Sequence, residues 1–381
     1  MNPIMNTYQP FPIELVDGHD FHLVDKAGKT YLDLTSGIGV CNLGYSNKPI
    51  YEAVSAQLKK VWHLSNLYPN AMATAVAEKL NPAGYQSFFC NSGTEANEAA
   101  LKLAHKATGK SKVIAFQEGF HGRTIGSLSV TGYPHIQEGF GPLIADVQLL
   151  DYNDQAALKA IDAETAAVIL EVVQGEGGVN TGKKDWLQAI QKQCQAAGAL
   201  LIIDEVQSGM GRTGYKFAHE AFDLQPDIIT VAKGLGNGLP VGAMLAKAEV
   251  AAHFKPGDHG NTFGGNPVVM AAANQVLAQL TPIFLATVQE KGEKLFAELD
   301  AKIKPLPAVL SISGLGLMVG IHLDAALPVK DVISKLQEKG ILTLSARGNT
   351  LRLLPPLIID ETALKTAVES IAIAIQELSP A

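Results

Sequence analysis

Three short stretches of this 381-residue chain carry residue types that could do chemistry together. In Asn91-Ser92-Gly93-Thr94-Glu95, a Ser-Gly-Thr turn follows an apolar run and opens a long helical pattern. Free amides and the dipole at such a helix start attract an anion, and glycine lets it approach the backbone. Ordinary capping by Ser92 or Thr94 explains the hydroxyls equally well, so the turn alone is a weak signal. The apolar run 199–203 ends in Asp204-Glu205-Val206-Gln207. A carboxylate at the carboxyl end of a central strand stands where α/β proteins build their sites. A lone loop aspartate facing water is the bland alternative. A third run, 228–232, ends in Lys233, followed by Gly234-Leu235-Gly236-Asn237-Gly238. Burying that lysine is costly unless its amine is used, the alternative being a side chain that snorkels to solvent.

An anion cup, an acid and a strand-end amine in one chain are what pyridoxal 5'-phosphate requires: a phosphate site, a carboxylate for the ring nitrogen and a Schiff-base lysine. Asp204 would keep the pyridine nitrogen protonated, and Lys233, displaced by an incoming amine, would become the general base. It must then be neutral, so its pKa has to fall well below about 10.4, which burial and cationic neighbours achieve. The best rival is Gly209-Met210-Gly211-Arg212-Thr213-Gly214, which matches the dinucleotide pattern G-x-G-x-x-G. Context defeats it: the match starts five residues beyond Asp204 and opens no long helix. It reads as a turn-rich excursion between two site-bearing strands.

The elements that must position these residues are legible as short apolar runs at 86–90, 112–116, 166–170, 199–204, 228–232 and 242–246. These predict buried strands of a largely parallel sheet. Helical patterns at 94–108, 154–161 and 185–197 alternate with them, giving an α/β class. Beyond a helix at 283–302, runs at 309–313, 317–323, 341–344 and 350–354 alternate with helices at 329–339 and 362–377, a smaller α+β unit. The expected division is an N-terminal segment, 1–45, packing with the small unit, a large cofactor domain, 46–283, and a small domain, 284–381.

Composition narrows the function classes. Lys and Arg number 30 against 37 Asp and Glu, so the net charge is 30 − 37 = −7, and no basic field exists to hold nucleic acid. Cys41, Cys90 and Cys194 are too few and too scattered for a disulfide framework or a CxxC metal site. No Lys or Arg precedes Lys26, so the positive region of a secretory signal is missing and a cytoplasmic protein is expected. The stretch 259–289 holds no Asp, Glu, Lys or Arg, but Asn274, Gln275, Gln279 and Pro282 interrupt it, so two core helices are expected rather than a membrane span. Eleven of the 36 glycines lie between Glu205 and Gly265, as if backbone there must come close to a ligand.

The segments SGTEANEAALKLA, FHGRT, LEVVQGEGG, LLIIDEVQSGMGRTG, IITVAKGLGNGLPVGA, HGNTFGGNP and LRLLPP resemble the class III (omega) aminotransferases of fold type I, over roughly residues 12–375. They are most similar to the bacterial acetylornithine-type branch. The resemblance implies the PLP-transferase fold type I, a large domain with a mostly parallel sheet plus a smaller α+β domain. It implies Lys233 as the Schiff-base residue, Asp204 at the ring nitrogen, and Gly93 and Thr94 on the phosphate with Ser92 beside them. Phe120 would stack on the ring, and Glu205, Val206 and Gln207 would complete the cofactor contacts. Thr262 would reach the phosphate of a neighbouring subunit, so a homodimer with shared sites is implied. Arg123 would hold a carboxylate of the donor and Arg352 the α-carboxylate of 2-oxoglutarate or glutamate, with Glu176 masking Arg352 while a terminal amine reacts. Standing alone, Arg123 and Arg352 could equally be surface ion pairs and Phe120 a core residue. Two positions depart from the branch: Asn261 replaces a small hydroxyl residue and Tyr45 a histidine, and both are candidates for contacts with the donor end. The implied reaction moves the terminal amino group of N2-acetyl-L-ornithine to 2-oxoglutarate in arginine biosynthesis. The alternatives are ornithine, succinylornithine, lysine-derivative or 4-aminobutyrate donors, or a cofactor-binding protein without turnover.

Overall fold

A computed structural model describes residues 3–379 of the chain. Three N-terminal strands, β1 (Leu15–His19), β2 (His22–Asp25) and β3 (Thr30–Asp33), form an antiparallel meander. The central sheet is built from β4 (Tyr85–Cys90), β5 (Lys112–Phe116), β6 (Val147–Leu150), β7 (Thr165–Leu170), β10 (Leu200–Asp204), β11 (Ile228–Val231) and β12 (Gly242–Lys247). A two-stranded ribbon, β8 (Val173–Gln174) and β9 (Asn180–Thr181), interrupts the series. The order across the sheet is β4-β12-β11-β10-β7-β5-β6. All pairings are parallel except those of β12, which runs against both β4 and β11.

Every residue of β7 and β11 is buried, and all but one end residue of β5, β10 and β12, which explains their unbroken apolar runs. The helix Gly93–Thr108 packs across the sheet, burying Ala96, Ala99, Ala100, Leu103 and Ala104. Gly109, at φ 69°, ends it in a left-handed cap. On the other face Trp186, Leu187 and Ile190 of the helix Lys184–Ala197 cover β7 and β10.

A second core lies under the C-terminal strands β13 (Val309–Leu315), β14 (Met318–Leu323), β16 (Leu344–Ala346) and β17 (Thr350–Leu353), paired in the order β13-β14-β17-β16. The helices Pro282–Lys302, Val329–Glu338 and Glu361–Leu378 close it. The single run expected at 341–344 is split: β15 (Ile341–Leu342) leaves to pair with β3 of the N-terminal meander, and β16 stays with β17. Leu32 lies opposite Ile341 in that pairing.

Three kinds of element were not legible. The edge strand β6 is only half-buried, and the helix Lys48–Leu58 buries Ile50 alone, so neither shows a strong apolar period. The N-terminal meander is exposed on much of its surface. The charge-free stretch forms the helices Pro267–Gln279 and Pro282–Lys302, bent by 71° where Pro282 opens the second. Among the described residues no single helix is long and apolar enough to cross a membrane.

Candidate active site

The carboxyl ends of β7, β10 and β11 meet the start of the helix Gly93–Thr108 around a cavity of about 400 Å³. At the helix start, Ser92 Oγ accepts the Glu95 amide at 3.3 Å, while Glu95 Oε2 accepts the Asn91 amide at 2.7 Å and the Ser92 hydroxyl at 3.2 Å. Ser92 is the N-cap, so its hydroxyl is engaged in capping. No acceptor among the described residues takes the amides of Gly93 and Thr94, which border the cavity. Position 93 excludes a side chain, because a Cβ there would stand 2.7 Å from Val206 Cγ1.

Asp204 is buried and still edges the cavity. Its Oδ2 accepts from Asn97 Nδ2 and His121 Nδ1, both at 2.8 Å, and Oδ1 accepts the Val206 amide at 2.9 Å. Asn97 is itself fixed, since its Oδ1 accepts from the Thr230 hydroxyl at 2.7 Å. Burial alone would lower the His121 pKa, but its hydrogen bond to Asp204 and the charges of Asp204 and Glu171 leave it raised. His121 Nε2 is buried with no partner among the described residues.

Lys233 lines the cavity at a backbone φ of 41°, a left-handed conformation that a side-chain-bearing residue adopts at a cost of order 1 kcal/mol or more. Its amine is pushed below the ordinary lysine pKa, first by burial and then by the charge of Arg352, against the opposing pull of Glu176, Asp204 and Glu171. Glu171, immediately beyond β7, is raised to about 7 by burial and by Asp204, with His121 and two amides opposing. Those amides belong to Phe120, 3.0 Å from Oε2, and Gly175, 3.2 Å from Oε1.

Arg352 on β17 is buried and is not among the cavity-lining residues, because Glu176 and Gln207 stand in front of it. Its Nη1 donates to Glu176 Oε1 at 2.6 Å, to the Gly175 carbonyl at 2.8 Å and to Gln207 Oε1 at 3.2 Å. Gln207 Nε2 donates to the same Glu176 oxygen at 3.1 Å. The Glu176 carboxyl sits below its usual range: burial would raise it, but Arg352 and Lys233 outweigh burial. Phe120 is half-buried in the wall, and the exposed Arg123 reaches the mouth with its guanidinium carbon 5.7 Å from the Phe120 ring centre.

Four expected contacts are placed otherwise. Glu205 faces away from the cavity: its carboxylate takes the Ser208 hydroxyl, the amides of Ala218 and His219, and His219 Nδ1. Its own amide still bonds the Thr230 carbonyl, and the alternation of an extended strand turns its side chain opposite to that of Asp204. Asn261 spends its side chain on β4 and on its own loop, donating to the Phe89 carbonyl and accepting the Gly264 amide. Tyr45 donates its hydroxyl to the buried Asp33 carboxylate at 2.8 Å, away from the cavity. Thr262 is exposed and does not reach the cavity of its own chain. Asn97, His121 and Glu171 were not singled out from the sequence. Glu171 had a usable signal, since like Asp204 it follows directly on an apolar run.

Open amides at a helix start, a buried acid fixed by Asn97 and His121, an orphaned His121 Nε2 and a desolvated lysine fit a phosphorylated, nitrogen-bearing aromatic aldehyde. The fold and the cavity define a pyridoxal-phosphate aminotransferase of fold type I. The family model for class-III aminotransferases matches residues 4–375, and the chain belongs to that family. It is 56% identical to the acetylornithine aminotransferase of Lactiplantibacillus plantarum over 373 residues, covering 98% of this chain and 96% of that protein. It is 48% identical to the acetylornithine aminotransferase of Bacillus subtilis, with 98% of each covered. Among solved structures, an ornithine aminotransferase from Toxoplasma gondii with pyridoxal phosphate at partial occupancy matches with a TM-score of 0.93. It is 30% identical and covers 99% of this chain and 92% of that one.

Proposed function

We propose that the chain transfers the terminal amino group of N2-acetyl-L-ornithine to 2-oxoglutarate, giving N-acetyl-L-glutamate 5-semialdehyde and L-glutamate, in arginine biosynthesis in the cytoplasm. The observation that carries this reading is Lys233, desolvated beside Asp204, in one cavity with a Glu176 that covers Arg352. The acetylornithine aminotransferases matched over nearly their whole length support the donor, and three free cysteines suit a reducing compartment.

When bound, pyridoxal phosphate supplies an aldehyde for the amine and a ring that withdraws the electron pair of the broken C–H bond. Asp204 would pair with the ring nitrogen, with Asn97 and His121 keeping its carboxylate aimed. The Gly93 and Thr94 amides would hold the phosphate, and Phe120 and Val206, which line the cavity, would pack on the ring. Lys233 Nζ, whose pKa burial lowers towards the neutral form, would take the proton from the donor's terminal CH₂ and return it during transfer. Arg123 at the mouth binds the donor carboxylate. Glu176 neutralises Arg352 while a terminal amine reacts. When 2-oxoglutarate enters, Glu176 yields and Arg352 takes its carboxylate through two parallel hydrogen bonds. Measuring kcat/KM for acetylornithine, ornithine, succinylornithine and 4-aminobutyrate with 2-oxoglutarate tests the reading, and a preference for any of the last three overturns the donor.

The same reading includes a homodimer with shared sites, and a division at 1–45, 46–283 and 284–381. Thr262 lies beside an exposed apolar patch in which Leu67 is 90% and Phe263 60% accessible, more than a surface loop needs. The His63 and Phe263 rings sit 5.4 Å apart there, and Asn66 donates to the Asn261 carbonyl. The separate core under β13 to β17 and the pairing of β3 with β15 support the division.

A further inference from the structure

The turn between β16 and β17 joins the element that carries Arg352 to the loop that carries Glu176, and Arg347 is the residue that spans the two. On the C-terminal side the turn is nailed down by Asn349, whose Nδ2 donates to the carbonyls of Leu323, Asp324 and Leu327 and whose Oδ1 accepts the Val329 amide. Thr350 adds a hydroxyl bond to the Arg347 carbonyl at 2.7 Å. On the other side the Arg347 amide donates to the Glu176 carbonyl at 3.1 Å.

The Arg347 side chain continues past that bond onto the central-sheet unit. Its Nε stands 2.8 Å from Glu118 Oε2, an oxygen that is buried although the side chain is 39% accessible. Its guanidinium lies 4.3 Å from the centre of the Tyr133 ring, and Nη1 is 3.5 Å from His135 Nδ1. Tyr133 donates its hydroxyl to the Glu118 carbonyl, and its ring centre is 6.2 Å from that of Phe120. A guanidinium on an aromatic face beside a carboxylate is a modest, directional anchor.

We propose that Arg347 is a positioning residue: by clamping its turn to Glu118 and Tyr133 it holds Glu176 over Arg352 and so sets the preference for terminal over α-amines. The proposal rests on the gating role given to Glu176 above. Arg347 does not line the cavity, so its signature is a change in the ratio of donors rather than a uniform loss. The test uses holoenzyme and compares kcat/KM for the acetylornithine half-reaction with that for the glutamate half-reaction.

Arg347→Ala is expected to lower the acetylornithine-to-glutamate ratio about fivefold, with Arg347→Lys, which keeps the ion pair to Glu118, recovering part of it. In a Glu176→Ala background the same change should leave the ratio within twofold, because the residue it acts through is gone. If Glu176→Ala does not move the ratio, the gate itself fails. If Glu176→Ala moves it and Arg347→Ala does not, only the clamp fails. An equal shift in both backgrounds also overturns the clamp. Should Arg347→Ala lose its bound cofactor or unfold, Glu118→Gln removes the ion pair from the other end and must give the same direction of change.

Discussion

Lys233 must be protonated rarely enough to act as a base, and the structure supplies two causes, burial and the nearby Arg352 charge. Replacing it with alanine should abolish both turnover and the visible absorption of the bound cofactor; retention of both in a purified variant excludes the assignment. Asp204→Asn should leave part of the cofactor binding intact and slow proton abstraction by orders of magnitude, read as kcat in single-turnover experiments. Near-normal kcat would falsify the pairing with the ring nitrogen. Glu171 offers a pH test. Its folded-state pKa of about 7 lies above its ordinary 4.5, so both states are protonated below pH 4.5. Between 4.5 and 7 the unfolded chain gives up the proton while the folded chain keeps it, and stability contributed by this group is lost as pH rises, by about 3 kcal/mol. Glu171→Gln cannot titrate. Denaturant unfolding should therefore show the variant gaining on the parent from pH 4.5 to 7, with no further change above; a pH-independent difference contradicts the assignment.

Elements contribute by where they stop. The helix Gly93–Thr108 begins with a Ser92 cap that spends the serine hydroxyl and leaves two amides open, so the proposed anion site is backbone rather than side chain. Gly93→Ala would press a methyl to 2.7 Å from Val206, displacing a residue that lines the cavity and is proposed to pack on the ring. Cofactor affinity should fall about tenfold in equilibrium dialysis, corresponding to roughly 1.4 kcal/mol; unchanged affinity would mean that Val206 relaxes freely. The glycine-rich excursion 209–214 has a different use. Arg212 in it is fully buried, with Nη1 donating to the Leu317 and Pro355 carbonyls and Nη2 to Asn42 Oδ1 and Ser36 Oγ. Burial lowers its pKa to about 9, with only the Asp33 charge opposing. It ties the N-terminal segment and both cores together, so Arg212→Leu, which takes the donor from the Leu317 and Pro355 carbonyls and from Asn42 Oδ1 while Ser36 keeps its bond to the Leu354 carbonyl, should cost about 3 kcal/mol in denaturant unfolding.

The whole molecule is predicted to complete its sites between copies. With Lys233 supplied by one chain and Thr262 by its partner, a Lys233→Ala chain and a Thr262→Trp chain are each inactive alone. Refolding them together should restore about a quarter of parental activity, because half of the dimers are mixed and each mixed dimer holds one intact site. No recovery, together with a monomeric mass in sedimentation, excludes the shared site. The exposed residues Leu67, Tyr68 and Phe263 mark the surface where such a partner would sit.

The central strands and the two strand-end residues Asp204 and Lys233 were readable in the sequence. Strands buried on both faces must be apolar throughout, so a charge at their carboxyl end stands out locally. The helices that flank β13 to β17 were legible from their apolar period, whereas the split of the 341–344 run between two sheets was not. What only the tertiary structure decided depends on partners far apart in the chain. Asp204 and Glu205 are adjacent and chemically alike, yet strand alternation sends one into the cavity and the other to His219. Asn97 and His121 gain meaning only when the fold brings them to Asp204, and Arg212 only when it brings Pro355 and Asn42 to its guanidinium. Side chains whose role is to satisfy a distant buried group leave no periodic trace, because the group they answer to is set by topology and not by neighbouring residues.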